Sequence, residues 1–141
     1  MNNNPIQLMQ TAAYLLPLLF VALHAKAGEG QLEINQACAV NTGCFPGDAQ
    51  GFPVTINVPG SYRLTGNLDL AAEDINTTGI EITAPAVTVD LGGFQISGPA
   101  GCQGSGGTIS CTSGSGSGVF ALDTAAGVTV RNGIVRNMGL S

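Results

Sequence analysis

Charged side chains are scarce in this chain of 141 residues. Nine acidic residues stand against four basic ones, and the formal net charge is −5. Because a protein that binds nucleic acid through its phosphates needs a basic surface, this composition excludes nucleic acid as a partner. Tryptophan is absent, and histidine and lysine occur once each, at His24 and Lys26.

The N-terminal segment has the pattern of a secretory signal peptide. Its apolar run, Ala12 to Leu23, is interrupted by Pro17 and is shorter than the ~20 residues that a transmembrane helix needs. The small-x-small sequence Ala25-Lys26-Ala27 follows, as at a signal-peptidase site. We therefore predict a signal peptide over residues 1–27 and a secreted or periplasmic mature chain with no membrane span.

Cleavage near Ala27 removes the single histidine and the single lysine. The mature chain keeps three arginines, Arg63, Arg131 and Arg136, against nine acidic residues, a net charge of −6. Without histidine or lysine, this chain acting alone cannot perform Ser-His-Asp, Cys-His or Schiff-base chemistry, nor bind zinc through histidine. We predict no catalytic residue in it.

Four cysteines remain after cleavage, at Cys38, Cys44, Cys102 and Cys111. An even number in an exported chain predicts disulfide bonds. Four cysteines allow three connectivities, and loop closure favours the two local pairs, Cys38 with Cys44 and Cys102 with Cys111. A zinc site built from all four is the rival interpretation, but the short C-x2-4-C spacings typical of such sites are missing.

Glycine is abundant, with 21 residues, and it punctuates an internal repeat. The stretch VTVDLGGFQISG at 87–98 matches VTVRNGIVRNMG at 128–139, and GIEI at 79–82 matches GVFA at 118–121. Within each unit, short segments alternate apolar and polar residues, as β-strands with one buried face do. Segments this short cannot form separate sheets, so we expect them to stack on one another as the coils of a parallel β-solenoid.

Ungapped stacking of the two units fixes a register. It places Val87 over Val128 at the strand spacing of ~4.8 Å and sets Asp90 directly against Arg131, a favourable pair of opposite charges. It also puts Asn137 opposite Ile96, so either a polar side chain points inward there or the final coil departs from the pattern.

Glycines fall at matching corners of the same register. Gly92 aligns with Gly133 and Gly98 with Gly139. We expect these four to supply the positive φ that tight corners demand.

The same pattern extends toward the N-terminus. A first, less regular coil is predicted from Val54–Ile56, Tyr62–Leu64 and Leu68–Leu70. Residues 28–52 form a lead-in that covers the end of the solenoid, and the coils occupy residues 53–141. Within them, residues 99–117 are interpreted as a flexible Gly/Ser-rich loop pinched by its two cysteines.

These coils resemble a known family. The run at 87–98, followed by VTVRNG at 128–133, resembles the first coils of secreted bacterial right-handed parallel β-helix proteins of the pectate-lyase-like superfamily. The resemblance covers residues 53–139 and implies an all-β, right-handed parallel β-helix, here of about three short coils. Members usually have many more coils, and no C-terminal cap is recognisable, so we expect a truncated member or an N-terminal portion.

The superfamily includes lyases, hydrolases, phage tailspikes and adhesins, so the resemblance leaves function open. Its lyases typically use a calcium ion held by clustered acidic side chains, with an Arg or Lys as base. The outward-facing candidates here are Asp69, Glu73, Asp74, Glu81, Asp90 and Asp123, with Arg131 and Arg136 as cations. No two of these acids match at one position of adjacent coils, so we predict no cofactor, with Ca²⁺ kept as the alternative.

Three functional hypotheses remain. The first is a secreted, non-catalytic β-helix module whose exposed Thr, Asn and Gln rows contact polysaccharide or a cell surface. The second is an N-terminal fragment of a carbohydrate-active enzyme, a polysaccharide lyase or hydrolase whose catalytic coils are missing. The third is a nonfunctional remnant. Under each of them, the open C-terminal coil offers an edge for association with another chain.

Overall fold

The computed structural model describes residues 30–139, so the predicted signal peptide lies outside the described residues. It contains twelve short strands and one helix. In chain order they are β1 Leu32–Ile34, α1 Gln36–Asn41, β2 Val54–Ile56, β3 Gly60–Leu64, β4 Leu68–Asp69, β5 Ile80–Ile82, β6 Val87–Asp90, β7 Gln95–Ser97, β8 Cys102–Ser105, β9 Thr108–Cys111, β10 Val119–Ala121, β11 Thr129–Arg131 and β12 Ile134–Arg136.

Ten of these strands form three parallel sheets. Sheet A has the order β1-β3-β6-β11, sheet B has β10-β5-β2, and sheet C has β12-β7-β4. Each coil contributes one strand to every sheet: β2, β3 and β4 form the first coil, β5, β6 and β7 the second, and β10, β11 and β12 the third. The prediction of a parallel β-solenoid is confirmed.

Strand alternation builds the core between the three sheets. In β6, Val87 and Val89 are fully buried while Thr88 and Asp90 face outward, as the period of two requires. The interior is almost entirely aliphatic, with one large aromatic, Tyr62, whose hydroxyl donates to the Val58 carbonyl at 2.7 Å. The fully buried aliphatic side chains include Ile34, Val54, Ile56, Leu64, Leu68, Leu70, Ile80, Ile82, Val87, Val89 and Ile96.

The third coil departs from the ungapped register. In sheet A, Val130 pairs with Val89 and Arg131 with Asp90, as that register requires. In sheet C, Val135 pairs with Ile96, whereas ungapped alignment puts Val135 opposite Phe94. The register slips by two residues at the corner between β11 and β12, and an even slip keeps the apolar residues facing inward.

Of the two alternatives for Asn137, the structure shows the second: the final coil departs from the ungapped pattern, and Asn137 does not lie opposite Ile96. Asn137 instead follows the end of β12, is exposed, and has a φ of +55°. A valine takes the interior position, so the coil needs no buried amide.

Of the four glycines predicted to have a positive φ, Gly92 has one, and Gly98, Gly133 and Gly139 do not. Gly92 has a φ of +60°, and a Cβ there would lie 2.9 Å from the Leu64 carbonyl oxygen, so this corner requires glycine. In the third coil the positive φ of +59° belongs to Asn132 rather than to Gly133. Asparagine tolerates this conformation better than other non-glycine residues, which explains the exchange.

The insertion at 99–117 is more ordered than a flexible loop. It contains an antiparallel hairpin of β8 and β9, paired from Cys102 with Cys111 to Ser105 with Thr108. Gly106 and Gly107 form its two-residue turn, both with positive φ. All eight strand residues are exposed, so the hairpin projects from the solenoid.

The lead-in adds both a strand and a helix to the first coil. β1 pairs with β3, extending sheet A by one strand. Asn35 caps α1 by accepting from the Cys38 N–H at 3.0 Å, and Ala39 of the helix is fully buried. No helix in the described part of the chain has the length and apolar character needed to cross a membrane.

Candidate functional site

The outer face of sheet A is the most regular polar surface of the solenoid. Parallel register aligns its outward side chains in two columns that run across the coils. We call them the charged column, Glu33, Arg63, Asp90 and Arg131, and the hydroxyl column, Ser61, Thr88 and Thr129.

The charged column alternates in sign along its four strands. Glu33 pairs with Arg63, Arg63 with Asp90, and Asp90 with Arg131. Adjacent rungs therefore carry opposite charges throughout, an arrangement that stabilises neighbouring strands where like charges would repel. The column itself has no net charge.

Asp90 is the centre of this column. Its Oδ2 lies 3.3 Å from Arg131 Nε, and its carboxylate accepts from Asn132 Nδ2 at 3.2 and 3.3 Å. The Gly92 N–H donates to Oδ1 at 2.8 Å. That backbone hydrogen bond lowers the pKa of Asp90 below its ordinary value, and the Asn132 amide and the guanidinium groups of Arg131 and Arg63 act in the same direction.

The hydroxyl column lies two residues earlier on the same strands. Ser61 pairs with Thr88, and Thr88 with Thr129. Ser61 and Thr129 are exposed, and Thr88 between them is half-buried. A hydroxyl both donates and accepts hydrogen bonds, so the column offers repeated polar contacts at the strand spacing of ~4.8 Å.

The other acidic candidates lie outside the charged column. Glu81 lies in register with Thr55 and Phe120, and Asp69 with Ser97. Within residues 30–139, no three His, Cys, Asp or Glu side chains lie close enough to hold a metal ion. The structure thus brings together Asp90 and Arg131. Glu73 and Asp74 are neighbours in the connection between β4 and β5, and Asp123 lies in the corner between β10 and β11.

All four cysteines lie in two disulfides. Cys38 and Cys44 are joined between α1 and the following turn, and Cys102 and Cys111 are joined across the ends of the hairpin. No free cysteine remains. Two disulfides in one small chain indicate an oxidising, extracellular type of compartment.

Two polar side chains of the lead-in form hydrogen bonds with the backbone of β2 and β4, the first-coil edge strands of sheets B and C. Gln36 Nε2 donates to the Asp69 carbonyl at 3.0 Å, and its Oε1 accepts from the Asp69 N–H at 2.8 Å. Asp48 Oδ1 accepts from the Thr55 N–H at 2.8 Å. Sequence reasoning missed both contacts, because a single Gln or Asp in an irregular lead-in carries no periodic signal.

A groove of about 450 Å³ lies between the hairpin and the third coil. Val135 and Met138 supply apolar surface, and Arg136, Asn137 and Thr112 supply polar groups. Its lining residues come from the hairpin and its flanks and from β12 and the residues after it, and none of them belongs to sheet A. The groove is therefore separate from the charged and hydroxyl columns.

Comparison of the chain with family models, with curated proteins and with solved structures finds no match in any of the three.

Proposed function

We propose that this chain is an extracellular, non-catalytic β-solenoid module that contacts polysaccharide, free or on a cell surface, through the outer face of sheet A. The observation that supports the proposal is the hydroxyl column of Ser61, Thr88 and Thr129 in register across three coils. A polysaccharide is a repeating chain of hydroxyl groups, and a row of hydroxyls at fixed spacing offers it several equivalent hydrogen bonds.

The electrostatics of the face favour a ligand of this kind. The charged column beside the hydroxyls is neutral overall, and Asp90 is already engaged by Arg131, Asn132 and Gly92. Charge contributes little to binding, so affinity comes from hydrogen bonds and from rigidity. The hydroxyls lie on strands rather than on loops, which reduces the conformational entropy lost on binding.

The proposal also states which kind of β-helix the chain forms and in which compartment it acts. The repeat at 87–98 and 128–133 supports a right-handed parallel β-helix of the pectate-lyase-like kind, and residues 1–27 support export with cleavage near Ala27. The two disulfides agree with a secreted or periplasmic location.

Removal of two hydroxyls from the column tests the binding face. In the double variant Thr88→Val and Thr129→Val, each side chain keeps its shape and its preference for strands, so the solenoid is retained. We expect about a thirtyfold loss of affinity for the polysaccharide that the wild-type chain binds, because two hydrogen bonds contribute roughly 1 kcal/mol each.

The assay combines co-sedimentation with insoluble polysaccharides and calorimetry with neutral and acidic oligosaccharides. Thr108→Val is the matched control, since Thr108 is exposed on the hairpin strand β9, outside sheet A. Binding that the double variant leaves unchanged, or failure of the wild-type chain to bind any glycan of the panel, overturns the proposal.

A further inference from the structure

The two disulfides of the chain have different surroundings. Cys102 and Cys111 are exposed, at the base of the projecting hairpin. Cys38 and Cys44 are half-buried, and Cys44 packs against the core. The Cys38 Sγ also accepts from the Asn35 N–H at 3.3 Å. Because thiol–disulfide exchange requires access to a sulfur atom, a reductant reaches the hairpin disulfide more readily than the disulfide of the lead-in.

The hairpin has little besides its disulfide to keep it folded. All eight residues of β8 and β9 are exposed, so the hairpin has no buried core of its own. Residues 102–111 include no charged side chain, and Ile109 lies opposite Gly104, which has no side chain to pack against it. A two-stranded hairpin without such support is marginally stable in water. The covalent bond at its base therefore supplies most of its order.

The residues on either side of the hairpin are held by the solenoid instead. Before the hairpin, the Ala100 N–H donates to the Asn137 carbonyl at 2.9 Å. After it, the Gly116 N–H donates to the Ile75 carbonyl at 3.2 Å. Neither contact involves β8 or β9, so opening of the hairpin is confined to the segment between Ala100 and Gly116.

The closed hairpin forms a wall of two grooves. Cys102 and Cys111 line the groove of about 450 Å³ beside β12. A second groove, of about 390 Å³, is lined by Pro99, Gln103 and Ser110. Both volumes lie in the range of small-ligand pockets, and both grooves lose a wall when the hairpin opens. The state of one disulfide therefore changes two surfaces of the molecule.

We propose that the Cys102–Cys111 disulfide is a redox switch: a dithiol reductant opens the hairpin and leaves the solenoid and the Cys38–Cys44 disulfide intact. One thiolate of the dithiol attacks a hairpin sulfur, forms a mixed disulfide and releases the other cysteine as a thiolate. The second thiol of the reductant then attacks the mixed disulfide and releases the second cysteine. The dithiol ends as a disulfide and the hairpin as two thiols, so two electrons and two protons are transferred. The hairpin lies outside sheet A, and this inference does not depend on the proposed polysaccharide ligand.

Graded reduction tests the selectivity of the switch. The oxidised chain is treated with dithiothreitol under native conditions, free thiols are alkylated, and the labelled peptides are identified by mass spectrometry. We expect Cys102 and Cys111 to be alkylated about tenfold faster than Cys38 and Cys44, or more, because their disulfide is exposed. Equal rates for the two pairs, or faster labelling of the lead-in pair, overturn the proposal.

Amide hydrogen exchange tests the opening of the hairpin. After reduction of the hairpin disulfide, the amides of β8 and β9 should exchange about tenfold faster or more, whereas those of β5, β6 and β7 keep their rates. The double variant Cys102→Ser and Cys111→Ser should show the same pattern without reductant. Ser110→Ala is the matched control, since it changes an exposed side chain of β9 and keeps the disulfide, and its hairpin should stay closed. Hairpin amides whose exchange is unchanged by reduction, or faster exchange throughout the three sheets, contradict the switch.

Discussion

Asp90 shows how single residues of this solenoid depend on their neighbours one coil away. Its carboxylate accepts from the Gly92 N–H within its own corner and contacts Arg131 and Asn132 in the next coil. Because Gly92 must be glycine for its corner to form, one short segment of sequence positions both the turn and the carboxylate. The side chain of Asp90 is only 16% exposed, whereas that of Arg131 is 54% exposed.

The lowered pKa of Asp90 predicts a pH-dependent contribution to stability. The charged form is stabilised in the folded state, so its contribution is present above the ordinary pKa of 3.8 and is lost as the pH falls through the lower folded value. Asp90→Asn should therefore be less stable than the wild type at neutral pH, and the difference should close in acid. Denaturant unfolding at a series of pH values measures it.

Asp123→Asn is the control for this experiment, since Asp123 makes no ion pair with any residue of the described chain. Its difference from the wild type should be small and should not show the same acid transition. A stability gap for Asp90→Asn that stays constant from neutral to acid pH contradicts the assigned role of the carboxylate.

Some residue contacts follow directly from the repeat. The matched VTV segments at 87–89 and 128–130 place Asp90 against Arg131, because the position after each segment is shared. Glu33 and Arg63 extend the same column, yet their surroundings lack a repeat match, so their alignment requires the three-dimensional register of β1, β3 and β6.

At the scale of elements, the strands are easier to predict than their connections. Alternation of apolar and polar residues identified the strands of the second coil, because one face of each is buried. The hairpin of β8 and β9 has no buried face, so its residues show no alternation of apolar and polar side chains that would predict strands. The sequence signal that indicates the hairpin is the Gly106-Gly107 pair between two short segments. The two-residue slip at the corner before β12 is equally hidden, since an even slip preserves the alternation.

The side-chain cap on sheet C predicts a measurable loss of stability. Gln36→Ala removes both hydrogen bonds to the Asp69 backbone, so the N–H and carbonyl of Asp69 bond to water instead. We expect a loss of about 1–2 kcal/mol in the free energy of unfolding. Alanine is a better helix former than glutamine, so weakening of α1 cannot account for such a loss.

Urea denaturation of Gln36→Ala and of a matched control measures the effect. Gln103→Ala serves as the control, since Gln103 is exposed on the hairpin strand β8. Equal stability of the two variants contradicts the role assigned to Gln36.

The whole molecule is a solenoid with unlike ends. At the N-terminal end, β1 extends sheet A beyond the first coil and the side chains of Gln36 and Asp48 bond to the backbone of β4 and β2, whereas β10, β11 and β12 are the last strands of their sheets within residues 30–139. The side of the solenoid presents the polar columns of sheet A, through which we propose that a ligand binds.

Nuclear Overhauser contacts between backbone protons of the isotope-labelled chain test the parallel stacking of the coils. Parallel stacking predicts contacts between the strands of each sheet, joining Val130 to Val89, Val135 to Ile96 and Val119 to Ile80. Antiparallel contacts between these strands, or contacts confined to neighbours in sequence, would contradict the solenoid and the binding face proposed on it.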